Sequence, residues 1–549
     1  MATADTLIRA ASIHTLDPAT TGADTIAVRG GRILAVGRRA DLDALRTADT
    51  QVVDYGDAVV TPGLNDSHTH VVFGLEMTRG SDLTDLPMAA VRERVHAAAR
   101  TAAPGSWVLG WGLDPNIFTG IGFGGRVFDE VTGSAPMFLR MRDGHSAIVN
   151  SAALDAAGIT GGEVFADESR VDVDAAGAPT GYIVELAAID LIVRALPAES
   201  SAQRRERFRE VLLGMAATGI ASTHVMDFAD DSRALVEALE SDGDLPVRLR
   251  FSPMVLGGAS AADLAAVAAL QGTGGRRWGV HGVKFFIDGT IDNGSAWLEH
   301  PDVYGQGTTS VWSDPAAYAD ALGYFVERGI PTATHAIGDR GVHYVLDALE
   351  ATGAARLLAA HRIEHIETIP DELVARFRAL GVAASMQPIH GTHHTRADRT
   401  DNWSVRLGPE RAARGWRCRD IRDAGGILAL GSDWPITPYD PRAMMADAIL
   451  RRPALRPDVA PVQPEQALTA LMALEGYTSH AAAAAGLSDV TGTITPGKRA
   501  DLTVFAADPL ATPPEDLAHV PVLDTVLDGI PVRTPCVQGS RSAGTTRFS

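Results

Sequence analysis

The sequence predicts an α/β protein built on a (β/α)8 TIM barrel. A composite β-sandwich made from both termini and a subdomain inserted after barrel strand 1 complete it. Three observations predict this. Eight apolar, strand-like runs alternate with helical segments. The two ends of the chain read alike, as short strands separated by turns. Roughly 140 residues, 75–215, separate the first run from the second, far beyond an ordinary connection.

Taken in order, residues 6–37 carry "TLIRAASIHTL" and "DTIAVRGGRILAVG", and residues 492–533 carry "GTITPGKRADLTVFAAD" and "VLDTVLDGIPV". The "GG", "PG" and "DG" turns between short β runs mark a small sheet domain. Neither end has enough strands alone, so residues 1–57 and 488–549 are assigned to one composite sandwich. The barrel takes residues 58–487. Its runs are "AVVTPGLNDSHTHV" (58–71), "GIASTHVMD" (219–227), "PVRLRFSPMVL" (246–256), "GVKFFIDG" (282–289), "IPTATHAIGD" (330–339), "HRIEHIET" (361–368), "GVAASMQP" (381–388) and "GGILALGSDWP" (425–435). Helical patterns such as "PAAYADALGYFVERG" and "PDELVARFRALG" lie between them. The stretch 75–215 is read as an insertion over the barrel mouth.

Composition narrows the function. At 549 residues the chain is long enough for two or three domains, and at 46% hydrophobic and 21% charged it reads as an ordinary globular protein. A net charge of −20 argues against nucleic acid or an anionic membrane surface as partner. The first twenty residues lack the basic start and apolar core of a signal peptide, and no apolar run is long enough to span a membrane. A cytoplasmic location is the expectation. Two cysteines, Cys418 and Cys536, offer no disulfide framework, while 17 histidines leave room for a nitrogen- and oxygen-ligated metal site.

The chemistry sits at the strand ends. The first run carries His68 and His70, two apart and so on one strand face. The fourth carries Lys284, the fifth His335, the sixth His365 and the eighth Asp433. In a barrel these positions converge on one mouth. Lys284 stands out because the chain has 48 basic residues and spells lysine only there and at Lys498. A primary amine reacts with CO₂ to give a carbamate, an anion able to bridge two metals. A guanidinium stays positive and cannot do this. Lys498, in "TPGKRADL", has no such chemical demand.

These residues also carry a resemblance. "PGLNDSHTH", "VKFFIDGTIDNGSA", "THAIGDRGV", "HRIEHIE", "SMQPIH", "LGSDWPITPYDP" and "PGKRADLTVF" resemble the amidohydrolase superfamily, and within it the family-3 branch that includes N-substituted formamide deformylases. The likeness spans nearly the whole chain, "RDGHSAIVNSAAL" in the insertion included. It implies that His68, His70, carboxylated Lys284, His335, His365 and Asp433 are the metal and catalytic residues, and that the protein is a homodimer.

The expected mechanism uses two divalent ions, Zn²⁺ first and Mn²⁺, Fe²⁺ or Co²⁺ as alternatives, sharing a hydroxide. His68, His70 and Asp433 hold one ion, His335 and His365 the other, and Lys284 bridges. Asp433 carries the proton to the leaving amine. His145, Trp111, Phe118, Asp288 and Gln387 are the candidate substrate-binding residues. Trp107, Trp111, Phe118 and Phe123 read either as a subdomain core or as an apolar wall suited to a small-molecule substrate with an apolar or aromatic group. "HGTHH", residues 390–394, reads as a polar loop near the mouth rather than as a second metal cluster. His224 and His361 read equally as core residues or as neighbours of the ligands. The reaction expected is hydrolysis of an amide-type C–N bond. Carbamate, ester or lactone hydrolysis and ring deamination are the alternatives. The segment after His335, "AIGDRG", lacks the glutamate that deaminases of this kind place there, and a non-catalytic scaffold protein would be expected to lose ligands that this chain keeps.

Overall fold

A computed structural model describes residues 3–532 apart from 85, 104, 119–121, 143, 166–168, 229 and 230. Residues 533–549, Cys536 among them, lie outside the described residues.

Eight parallel strand runs organise the centre. They are β1 (Leu64–Thr69), β2 (Ile220–Val225), β3 (Arg248–Phe251, continued by Met254–Val255), β4 (Trp278–Val280, continued by Val283–Phe286), β5 (Thr332–Ala336), β6 (His361–His365), β7 (Ala383–Met386) and β8 (Leu428–Leu430). Each pairs in parallel with the next in sequence. The series returns to its start through the parallel bridge Thr69–Trp434 and the bonds Asp433 N–H to His68 O and His70 N–H to Trp434 O. Helices run between the strands. In Pro315–Val326, Asp314 accepts from Ala316 N and proline stands at the first helical position, a strong start signal. In Asp371–Leu380, Leu373, Val374, Phe377 and Leu380 recur at helical spacing and are buried, and Gly381 ends the helix in the left-handed conformation.

The terminal strands form one hydrogen-bonded sheet, where two sheets of a sandwich are expected from the sequence. Its order is Ile530–Pro531, Val522–Leu527, Leu502–Phe505, Val59–Pro62, Thr6–Ile13, Ala23–Arg29 and Arg32–Gly37, with Gln51–Asp54 also on Thr6–Ile13. Val59–Pro62 stitches the two ends together, antiparallel to Leu502–Phe505 and parallel to Thr6–Ile13. The apolar run 58–71 is therefore two strands, one in each sheet, and not one barrel strand. They part at Gly63, where a Cβ would lie 2.5 Å from Ala221 Cβ. Both halves are buried, so hydrophobicity carries no trace of the division.

The insertion has its own six-stranded sheet within residues 81–184 and its own core, which includes Val91, Val95, Leu113, Phe118, Phe128 and Leu139. The helix Ser201–Ala217 packs elsewhere. Phe208, Leu212 and Met215 bury against Ile220, Val225 and Phe251 of the parallel strands, so the last residues assigned to the insertion belong with the central layer.

Candidate metal centre

β1 carries His68 and is followed directly by His70; their side chains lie on one face while Thr69 turns the other way to meet Thr223 Oγ1 at 2.7 Å. His68 Nδ1 lies 2.7 Å from Glu364 Oε2, and His70 Nδ1 lies 3.3 Å from Asp227 Oδ2. Glu364 holds the proton of His68 on Nδ1 and leaves its Nε2 lone pair free, while Asp227 approaches His70 Nδ1, which makes no hydrogen bond among the described residues. The two Nε2 atoms are 3.4 Å apart, and Asp433 Oδ1 stands 3.3 Å from each. Three ligand-type atoms thus face one another in a buried site, an arrangement that fits a shared cation. Lys284, fully buried, places Nζ 3.4 Å from His68 Nε2.

A second group shares Asp433. His365 donates from Nδ1 to Gln387 Oε1 at 2.9 Å, which points its Nε2 lone pair away from Gln387. His390 Nε2 lies 3.8 Å from Asp433 Oδ2, is buried, and has no hydrogen-bond partner among the described residues. His365, His390 and Asp433 bring ligand-type atoms close enough to hold an ion, as do His68, His70 and Asp433. Nitrogen and carboxylate donors without thiolate suit zinc and other borderline divalent ions. His365 (φ 74°) and Asp433 (φ 56°) both occupy the left-handed region, which costs backbone energy and is found where a site over-determines its geometry.

The electrostatics follow from burial. His68 and His365 are pushed well below the usual histidine range by desolvation, with cationic or histidine neighbours adding to it. Burial also opposes charge on His70, but Asp227 and Asp433 outweigh it and raise its pKa. Burial opposes charge on Asp433 too, yet His68 and His70 hold its carboxyl well below the ordinary range. Lys284 is pushed down to about 8 by burial, against the pull of Glu364 and Asp433.

Above these groups lies a cavity of about 430 Å³ with a mainly apolar wall. Phe73, Met77, Phe228, Met254 and Phe286 form much of it, and the insertion adds Gly144, His145 and Leu186. Glu367 also lines it, accepts from Trp403 Nε1 at 2.7 Å, and is raised to about 8 by burial and by Asp292.

The candidates named from sequence are placed unequally. His68, His70, His365, Asp433 and Lys284 come together. His335 is adjacent, with its ring 4.5 Å from that of His365, but its Nε2 donates to Gly289 O at 3.1 Å and it joins neither group. His145 lines the cavity, held by Glu185 Oε2 at 2.8 Å. Gln387 positions His365 from behind. Asp288 organises backbone, accepting from Trp297, Ile337 and Gly338 N–H groups. Phe118 lies in the core of the insertion, and Trp111 stands on the strand Val108–Leu113 of its sheet; neither lines the cavity. The "HGTHH" stretch is a helix, Pro388–His394, not a loop. His390 and Glu367 are the residues missed. The available signals were the proline opening a helix after β7 and the position of Glu367 two residues beyond a strand-end histidine. Gln387→Ala is expected to lower metal affinity about 10–100-fold, the usual effect of losing an outer partner of a ligating histidine, as measured by chelator competition.

Residues 51–533 match the amidohydrolase family. Among curated relatives, the chain is 29% identical to Protein LONG AFTER FAR-RED 3 of Arabidopsis thaliana, over 92% of this chain and 88% of that one. It is 27% identical to N-substituted formamide deformylase of Arthrobacter pascens, over 96% and 98%. Its fold is similar to that of an uncharacterized metal-dependent hydrolase from Pyrococcus horikoshii, with a TM-score of 0.71 at 23% identity over 93% of this chain and 99% of that one. A match that runs from the terminal sheet through all eight parallel strand runs places this chain in the amidohydrolase family.

Proposed function

We propose that the protein is a metal-dependent hydrolase of an amide-type C–N bond, an N-substituted formamide among the candidate substrates, with β1–β8 forming a (β/α)8 barrel around the site. The observation that carries this reading is the convergence of His68, His70, Asp433 and Lys284 under an apolar cavity. The likeness to the Arthrobacter pascens deformylase supports the bond class.

His68, His70, His365, His390 and Asp433 would hold divalent ions, zinc first, with Lys284 as a carbamate between them. When bound, such ions supply an acidified water near neutral pH and a Lewis acid for the carbonyl oxygen. Asp433, kept ionised by His68 and His70, accepts the proton of the attacking water and returns it to the leaving nitrogen. An amine leaves only when protonated, so C–N cleavage needs that transfer. Glu367, protonated near neutral pH, can donate a hydrogen bond from the wall. Phe73, Phe228 and Phe286 exclude water and receive an apolar substituent. Ring deamination is disfavoured because Asp339, the carboxylate following His335, is occupied with the Glu299 and Arg340 N–H groups.

The test is a panel of N-substituted formamides, longer acyl amides, carbamates, esters and amino-substituted rings on metal-replete protein. Amine release from amides carrying an apolar N-substituent, with slower turnover of polar ones, is the expected result. Turnover confined to esters, or ammonia released from a ring, overturns the bond class while leaving the metal centre in place.

A further inference from the structure

A second cavity, of about 200 Å³, lies at the opposite ends of the strands, near the starts of β1, β2 and β3 and beneath the terminal sheet. Its lining is unusual for a barrel interior, where branched aliphatic side chains normally fill the space. β3 reads Arg248-Leu249-Arg250-Phe251. Leu249 and Phe251 pack outward with Phe208 and Leu212, so alternation turns Arg248 and Arg250 to the other face. Arg276, Arg277 and Arg499 complete five arginines on the wall.

Three of the five are compensated. Arg248 pairs with Asp501 at 2.7 Å and also with Asp528; Arg276 pairs with Asp244 at 2.6 Å; Arg277 stands 3.6 Å from Asp528 and 3.7 Å from Asp244. Arg250 and Arg499 pair with no carboxylate among the described residues. His281, also on the wall, feels both of them. In a chain with 68 acidic against 48 basic residues, Arg250, on which no carboxylate acts, and Arg499, which Asp501 and Asp528 reach only from beyond ion-pair distance, run against composition. Burial and Arg362 together push Arg250 down to about 10, as expected for a cation lacking a partner. The space is kept by glycine. A Cβ at Gly279 would lie 2.6 Å from His281 Nε2, and one at Gly275 would lie 2.1 Å from Glu240 Oε2, which already accepts from Arg276 N–H, and 2.4 Å from Trp278 Nε1, an indole N–H that finds no acceptor among the described residues.

We propose that this cavity binds a small oxyanion of the phosphate class, held by Arg250 and Arg499 with His281 beside them. Two guanidinium groups outside any ion pair suit an anion, the one carboxylate on the wall, Asp501, being taken by Arg248, and their planar donor forks match phosphate oxygens in geometry. The site is separate from the metal centre but linked to it. Asn65, on its wall, lies 3.2 Å from His224; His224 accepts from Arg362 at 2.6 Å; Arg362 forms an ion pair with Glu364 at 2.7 Å; and Glu364 holds His68.

Inorganic phosphate titrated calorimetrically into the metal-loaded, full-length protein tests the assignment, with thermal unfolding and substrate turnover followed in parallel. Saturable binding that is not competitive with substrate is expected. Arg250→Gln and Arg499→Gln should each weaken it by about tenfold or more, the usual cost of losing one charge-assisted hydrogen bond to an ion. Arg499 is half-buried, so its variant serves if Arg250→Gln does not fold. Glycerol phosphate forms a second arm. Tighter binding than phosphate identifies a phosphorylated metabolite as the occupant, and equal or weaker binding identifies the free ion. Absence of saturable binding in the wild type overturns the proposal. So does binding that is competitive with substrate and unchanged in both variants, because the phosphate then sits on the metals.

Discussion

Lys284→Arg is expected to reduce turnover by more than the roughly 10–100-fold that loss of an outer positioning residue costs at a metal site. Charge and approximate length are kept, so the change would be mild at a surface ion pair. At this position the side chain is fully buried, lies 3.4 Å from His68 Nε2, and makes no ion pair with a carboxylate among the described residues. A guanidinium there adds a permanent positive charge beside the ions, occupies more volume and supplies no ligand. With its pKa lowered to about 8, Lys284 presents far more neutral amine near neutral pH than an ordinary lysine, and the neutral amine is the form that takes up CO₂. Protein stripped of metal and CO₂ should therefore recover activity when metal and bicarbonate are both returned, and faster above pH 8 than well below it. Lys284→Ala should be inactive and partly rescued by short carboxylic acids that fill the bridging position. Full activity of Lys284→Arg, or electron density showing a bare ammonium beside bound metal, would remove the carbamate and leave an ordinary buried lysine.

The second large effect belongs to Asp433. Asp433→Asn is expected to keep most of the bound metal while losing about 10²–10⁴-fold in kcat, the range typical of a general acid–base residue. The carboxylate is the one group shared by both clusters of ligand-type atoms, and its two oxygens face different histidines. An amide oxygen at the same place can still ligate but cannot take a proton and return it. Metal content by elemental analysis and saturation kinetics separate the two roles. Normal kcat with a raised KM would assign Asp433 to binding alone.

Most of the centre was legible because strand geometry and ligand chemistry constrain one another. "HTH" at period two, a histidine closing β6 and an aspartate after β8 each announce themselves as polar residues ending apolar runs. His390 did not, because it lies on the helix after β7, and a helix of seven residues in "PIHGTHH" has too little apolar periodicity to betray itself. Asp288 and Gln387 were identified as positions but not as roles; each serves its neighbours, one backbone and one imidazole, and the direction of a hydrogen bond is not written in spacing. Trp111 and Phe118 show the opposite failure. Aromatic residues among glycines suit a pocket wall and a small subdomain core equally, and here the core holds Phe118. His335 illustrates a limit of motif order, since strand-end placement brings the ring to the site without deciding which way its nitrogens turn.

The strand Val59–Pro62 also has a consequence for biosynthesis. Its antiparallel neighbour is Leu502–Phe505, with Val60 opposite Val504. At ribosomal rates of about 5–20 residues per second, that partner emerges some 20–90 s after the strand it must join. Through that interval the N-terminal strands carry a bare edge, open to pairing with any extended segment nearby. The parallel strands can assemble in order as they emerge, each beside its predecessor, but the terminal sheet closes only once Leu502–Phe505 has emerged. A nascent chain halted before Leu502 is thus the species most exposed to aggregation, and the one for which chaperone protection matters most.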